Sequence, residues 1–155
     1  MKTNFFHKLI GTSLGLGYLP QAPGTFGALG GLLSGWAVLN FTAYPNLILF
    51  SLIVFMSLLG VYSSNKLIPE WGDDPSKIVI DEVVGMWIAM LFIPTSYAVL
   101  LSAFVLFRFF DIAKPLYIRR LEKIPGGWGI MLDDVAAGIY ANITIQVFYL
   151  MYNAW

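Results

Sequence analysis

The sequence has no cysteine and a single histidine, His7. Without thiols there is no disulfide, no zinc thiolate centre and no cysteine nucleophile. One isolated histidine near the N-terminus reads as interfacial and cannot assemble a histidine-dependent phosphate site. No Asp-x-Asp follows a strand-like run, which excludes the haloacid-dehalogenase pattern. The Asp-x-x-Asp-Gly-x-x-Ala-Arg series of the CDP-alcohol phosphotransferases is missing too. Charge is scarce: Asp, Glu, Lys and Arg make up 12%, against about 25% in ordinary soluble domains. The net charge is zero, so nothing argues for a nucleic-acid partner. Gly11, Gly15, Gly17 and Pro20 interrupt the N-terminal region. No clean apolar run leads to a small-residue cleavage site, and no signal peptide is expected.

What is abundant is apolar. Hydrophobic residues make up 58% of 155, against roughly 45–50% typically. A soluble core this small cannot bury that surface, so lipid is the simpler solvent. The length fits one domain, 1–155. Apolar runs predict spans at about Phe26–Phe41, Leu47–Tyr62, Val83–Ile93, Tyr97–Phe110 and Val135–Tyr152. The expected fold is an all-α polytopic membrane bundle of about five embedded helices. Several runs fall short of the ~20 residues a perpendicular helix needs. Some helices should therefore extend further and carry acidic pairs in their first turns. Phe5, Phe6, Leu9 and Ile10 suit a short interfacial helix, with Lys2 and Lys8 toward headgroups. Gly27, Ala28, Gly30, Gly31, Ser34 and Gly35 form a small-residue stripe suited to close helix packing.

The connecting segments alternate in character. On one side lie TAYPN (42–46), PTS (94–96) and the tail, without a charge; every Lys and Arg falls on the other. The positive-inside rule makes the charged side cytoplasmic.

Charge concentrates between Phe104 and Gly138. Asp133-Asp134 echo a second pair, Asp81-Glu82: IVIDEV at 78–83 resembles IMLDDV at 130–135, each with a glycine soon after, Gly85 and Gly138. Asp81, Glu82, Asp111, Asp133 and Asp134 are hard oxygen ligands at a membrane edge and suit Mg²⁺, with room left for water and phosphate. Acids at a helix start also complement its dipole, a plainer account of both pairs that leaves Asp111 unexplained. Arg108, Asp111 and Pro115 share a helix face, with Lys114 adjacent. They form either a surface ion strip or a carboxylate flanked by the phosphate-binding cations Arg108 and Lys114. Arg119 could hold phosphate bidentately or snorkel to headgroups. Thr25, after Pro23-Gly24, stands at a helix start that could meet an anion or merely cap a turn. Gly126-Gly127-Trp128-Gly129 reads as a flexible loop or turn, and Asp73-Asp74 as turn acids. These residues leave metal-assisted attack of water on phosphorus, with one carboxylate as base, or an aspartyl-phosphate route.

Four motifs in order, PGT (23–25), IDEVVGMWI (80–88), FRFFDIAKP (107–115) and GIMLDDVAAG (129–138), resemble the phosphatidylglycerophosphatase A family. The likeness runs from about residue 17 to 140. It implies a Mg²⁺-dependent lipid phosphatase of the bacterial cytoplasmic (inner) membrane, its site facing the cytoplasm. The implied substrate is phosphatidylglycerophosphate and the products phosphatidylglycerol and phosphate. The family's acidic positions fall on Asp81, Glu82, Asp111, Asp133 and Asp134. Asp81, Glu82, Asp111 and Asp134 are the catalytic candidates. The expected partners are that substrate and membrane lipid, with oligomeric state open. Two competitors remain. A divalent-cation transporter or channel subunit would place acids near mid-span with access from both sides. A structural membrane protein would keep its activity when carboxylates are replaced.

Overall fold

The computed structural model describes residues 4–73, 75–115 and 117–153. Among the described residues there are seven α-helices and no strand: α1 (Phe5–Gly11), α2 (Pro23–Phe41), α3 (Pro45–Trp71), α4 (Ile80–Met90), α5 (Tyr97–Ala113), α6 (Ile118–Leu121) and α7 (Gly127–Asn153). A short helix, α1, stands where the interfacial one was expected; Lys2 and Asp74 lie outside the described residues. Proline at the first helical position, where its missing N–H costs nothing, opens both α2 and α3.

α4 is the hub. Nine of its eleven residues are buried, and α2, α3, α5 and α7 all pack on it. The small-residue stripe makes this possible on the α2 side. A methyl at Gly31 would sit 2.9 Å from the Val83 carbonyl and 2.9 Å from Met86 Cβ. Gly27 and Gly35 meet Val79 and Trp87 as closely. On the other side Gly85 backs onto α7. A side chain there would lie 2.7 Å from the Asp134 carbonyl, and one at Gly138 would strike the Gly85 carbonyl. Phe107 of α5, fully buried, closes over the same contact.

Outward faces are apolar. Leu33, Phe55, Leu101 and Phe148 are all more than 60% exposed. α3 and α7 are long and apolar enough to cross a membrane, yet only 33% and 22% of their most apolar windows are buried within the fold. Their hydrophobicity faces outward, as in lipid rather than in a soluble core.

The two ends differ. At one end Asn46 receives the Phe92 N–H at 3.0 Å, and Phe92, Pro94, Tyr149 and Leu150 gather round it. At the other, cations lie over aromatic rings: Lys8 and Lys77 over Trp71 at 5.7 and 5.8 Å, Lys66 over Tyr62 at 5.5 Å and Arg120 over Tyr117 at 5.1 Å. Lys8 also pairs with Glu70.

Several boundaries differ from the sequence reading. α3 continues through SSNKLIPEW to Trp71 with Pro69 inside it, because its polar residues have partners. Ser63 meets His7 Nδ1 at 3.2 Å, and Asn65 accepts the Gly127 N–H at 2.9 Å. Gly127 and Gly129 are helical, not loop: side chains there would collide with the backbone at Val61 and Ile124. Within that segment Gly126, at φ 78°, is the turn glycine.

Candidate active site

Short α4 and long α7 run from the cation-rich end with their acids in facing positions. Asp81 and Glu82 occupy the first turn of α4, as expected. Asp133 and Asp134 do not occupy the first turn of α7, which carries no acid there. The earlier start of that helix at Gly127 puts them about two turns inside it. Dipole capping therefore accounts for the first pair and not for the second.

Because the helices touch at Gly85 and Gly138, one turn beyond each pair, the carboxylates converge. One oxygen each from Asp81, Glu82 and Asp134 lies within 4.8 Å of the others. Asp81 and Asp134 are buried. Asp81 Oδ1 and Glu82 Oε2 are enclosed with no hydrogen-bond partner. An enclosed carboxylate oxygen without a donor costs several kcal/mol, on the order of 1–3 or more. The usual remedies are a proton or a cation. Three oxygens and no nitrogen or sulfur form a donor set for a hard divalent ion. The residues present thus fit a Mg²⁺-like ion.

The other two acids are held by cations. Asp111, at the end of α5, pairs with Arg108 one turn back. Asp133 receives Lys114 Nζ at 2.7 Å, and the same ammonium bonds Glu122 at 2.8 Å. Burial alone would lower the Lys114 pKa; the hydrogen bonds to Asp133 and Glu122 outweigh it and hold the group above its ordinary value. Lys114 can turn this way because it ends α5 in a left-handed conformation, φ 44°. The strip expected from spacing is therefore split. Arg108 serves Asp111, while Lys114 crosses to α7 instead of pairing along its own helix.

All five acids line one recess of about 520 Å³, with Lys114, Glu122 and Lys123 at its wall. Asp73, set aside in the sequence as a turn acid, also lines it. Glu122 was legible only as part of a charged segment; its approach to Lys114 depends on the turn after α5. Arg108 and Thr25 stand beside the recess rather than in its wall. A side chain at Gly24 would run into the Glu82 carboxylate and come within 3.4 Å of Arg108 Nη1, so PGT abuts the acids through its glycine. Thr25 does not cap α2: the N-cap is Ala22, and Thr25 lies inside the first turn, its N–H donating to the Ala22 carbonyl at 2.9 Å. Arg119 is exposed and donates to the Ala113 carbonyl at 3.4 Å. The Gly126–Gly129 segment meets the recess through Gly126 and Gly129.

With this fold, this site and the relatives that match it, the chain is an all-helical phosphatase. The model of the family described as PgpA: Phosphatidylglycerophosphatase A matches residues 9–149, and the chain belongs to that family. A phosphatidylglycerophosphatase A of Haemophilus influenzae is 42% identical over 140 residues, covering 88% of this chain and 85% of that one. A phosphatidylglycerophosphatase A of Escherichia coli is 34% identical over 151 residues, covering 95% and 84%. A protein of Bacteroides thetaiotaomicron named "Putative phosphatidylinositol-3-phosphatase" is 43% identical over 152 residues, covering 94% and 95%. No solved structure matches the chain.

Proposed function

We propose that this chain is a Mg²⁺-dependent phosphatidylglycerophosphatase, one membrane-embedded domain over residues 1–155. It hydrolyses the terminal phosphate of phosphatidylglycerophosphate to give phosphatidylglycerol and inorganic phosphate. The observation that carries the reading is the pair of enclosed, partnerless oxygens on Asp81 and Glu82, beside Asp134, in a chain of this family. Such oxygens ask for a cation, and a phosphomonoester brings the charge that balances one.

Asp81, Glu82 and Asp134 would hold the ion, with Asp111 and Asp133 at its margin. Bound Mg²⁺ supplies polarisation of the phosphoryl oxygens and acidification of water. Lys114 would meet the phosphate charge from the wall of the recess and Arg108 from beside it. Asp111, kept at the edge by Arg108, takes the proton of the attacking water. The water oxygen bonds phosphorus, the ester bond breaks and the glycerol oxygen leaves, protonated from solvent. Thr25 and Arg119, outside the recess, would meet the phosphate on its way in.

We read α2, α3, α4, α5 and α7 as the embedded helices, in a bacterial cytoplasmic membrane. The cation-rich end faces the cytoplasm by the positive-inside rule. A cation channel fits poorly, because the acids sit toward one end with Lys114 and Arg108 among them. A second substrate reading follows from the Bacteroides relative: a phosphoinositide bearing a 3-phosphate. Both substrates are lipid phosphomonoesters, and the same carboxylates would serve either.

The test is phosphate release in detergent micelles from phosphatidylglycerophosphate and, separately, from phosphatidylinositol 3-phosphate. Each is run with Mg²⁺ and with chelator. Mg²⁺-dependent release from the first, faster than from the second, is the expected result. Preference for the second would move the substrate and keep the chemistry. No release from either by folded protein would overturn the reading.

A further inference from the structure

α4 is too short for its position. Eleven residues span about 16 Å, roughly half of a ~30 Å hydrocarbon core. The helix stops at Met90; Leu91 is extended, and Phe92 turns back at φ 60°. The last carbonyls of any helix lack intrahelical partners, and within a membrane no water replaces them. Here one side chain meets the carbonyls of Ile88 and Ala89 and that of Leu91 just past the helix; the Ile88 carbonyl also accepts the Leu91 N–H at 3.2 Å. Asn142 Nδ2 lies 3.1 Å from the Ile88 carbonyl, 3.1 Å from that of Ala89 and 2.7 Å from that of Leu91. Its amide cannot flip without cost, because Gln146 Nε2 donates to Asn142 Oδ1 at 2.6 Å. A flipped amide would aim oxygen at three oxygens.

Asn142 belongs to α7, the helix that carries Asp133 and Asp134; the carbonyls belong to the end of α4 and the residue after it, and α4 carries Asp81 and Glu82. The two helices are thus fixed at two levels. Gly85 against Gly138 sets how close they come. Asn142, one turn further on, sets how far one has slid along the other. Sliding matters here. A slip of one residue is about 1.5 Å, whereas a working constellation needs its groups held within about 0.5 Å.

We propose that Asn142, clamped by Gln146, is a positioning residue that sets the axial register of the α4 carboxylates against the α7 carboxylates. This rests on the reading of those acids as an ion-binding phosphatase site. Asn142 touches neither ion nor substrate; it acts through the backbone of α4.

The experiment compares full-length Asn142→Leu, Gln146→Leu and Asn46→Ala with wild type in detergent. Mn²⁺ binding is followed by electron paramagnetic resonance, alongside kcat, KM and thermal stability. Asn46→Ala releases the Phe92 N–H at the same turn but leaves the register, and serves as the structural control. Asn142→Leu should weaken Mn²⁺ binding at least about tenfold and lower kcat with KM little changed. Gln146→Leu should do the same to a smaller degree, about threefold. Asn46→Ala should lower stability alone. Wild-type Mn²⁺ binding and kcat in folded Asn142→Leu would overturn the proposal. If Asn142→Leu does not fold, unchanged Mn²⁺ binding in Gln146→Leu overturns it. So would losses in all three variants that merely track stability. Failure of the phosphatase reading shows in wild type, as no phosphate release; failure of the register role shows only in the ratio of variant to wild type.

Discussion

The two acidic pairs are near-copies in sequence and unlike in setting. Asp81-Glu82 open a short helix that is buried almost all round, and two of their oxygens have no partner. Asp133-Asp134 sit inside a long helix; Asp133 is held by Lys114 and also accepts the Asp134 N–H at 3.1 Å. The α4 pair offers oxygens enclosed without a donor. The α7 pair divides its labour: Asp134 joins the α4 acids, and Asp133 anchors the cation that closes the wall. One short motif, set at the start of one helix and inside another, comes to two different settings.

The largest effects should break the half of that comparison proposed to hold the ion. Asp81→Asn and Asp134→Asn each remove one of the three converging oxygens. Phosphate release should fall by roughly 10²–10⁴-fold, with protein recovered folded by size-exclusion chromatography. If Asp133 instead works through Lys114, Asp133→Asn and Lys114→Met should each cost about tenfold. The double variant should cost little more than either single one, which a double-mutant cycle reads directly. Equal, additive losses from Asp133 and Asp134 would erase the division of labour. Gly85→Ala and Gly138→Ala press a methyl onto backbone of the facing helix. Each should lower stability by about 1–3 kcal/mol, seen as a lower melting temperature, and loosen Mn²⁺ binding together with it. Smallest of all, Arg119→Ala, whose side chain stays outside the recess, should change kcat/KM about twofold or less by the measure of exposed charges.

Much of this was legible. The order of the helices, the stripe at Gly27, Gly31 and Gly35, and the five acids of the recess all follow from apolar runs and charge placement. What hydropathy missed were helix ends. It stops a span at the first polar residue, whereas a helix stops where its backbone loses partners. Ser63 and Asn65 looked like loop because their partners, His7 and Gly127, lie more than fifty residues away in the chain. The glycines at 126–129 looked flexible for a related reason: composition cannot tell a glycine that permits motion from one that permits contact. Asn142 and Gln146 did carry a signal, two amides four apart in an apolar run. Nothing in the sequence said which carbonyls they would meet.

The ring of cations over Trp71, Tyr62 and Tyr117 has a consequence for where the chemistry occurs. On α3, Gly60 lies level with the acids, against Ile80 and Met131, and Trp71 stands eleven residues further on. At 1.5 Å per residue that is about 16 Å. Tryptophan, tyrosine and basic side chains favour the headgroup layer, and Tyr62 under Lys66 stands only two residues past Gly60, so that layer would reach down to the level of the carboxylates. A phosphate would then meet them without leaving its own layer, and the water that attacks it would come from the headgroup side. The reaction would then be governed by the lipid surface as much as by the site, and a more anionic bilayer would draw the same cations closer without altering one residue.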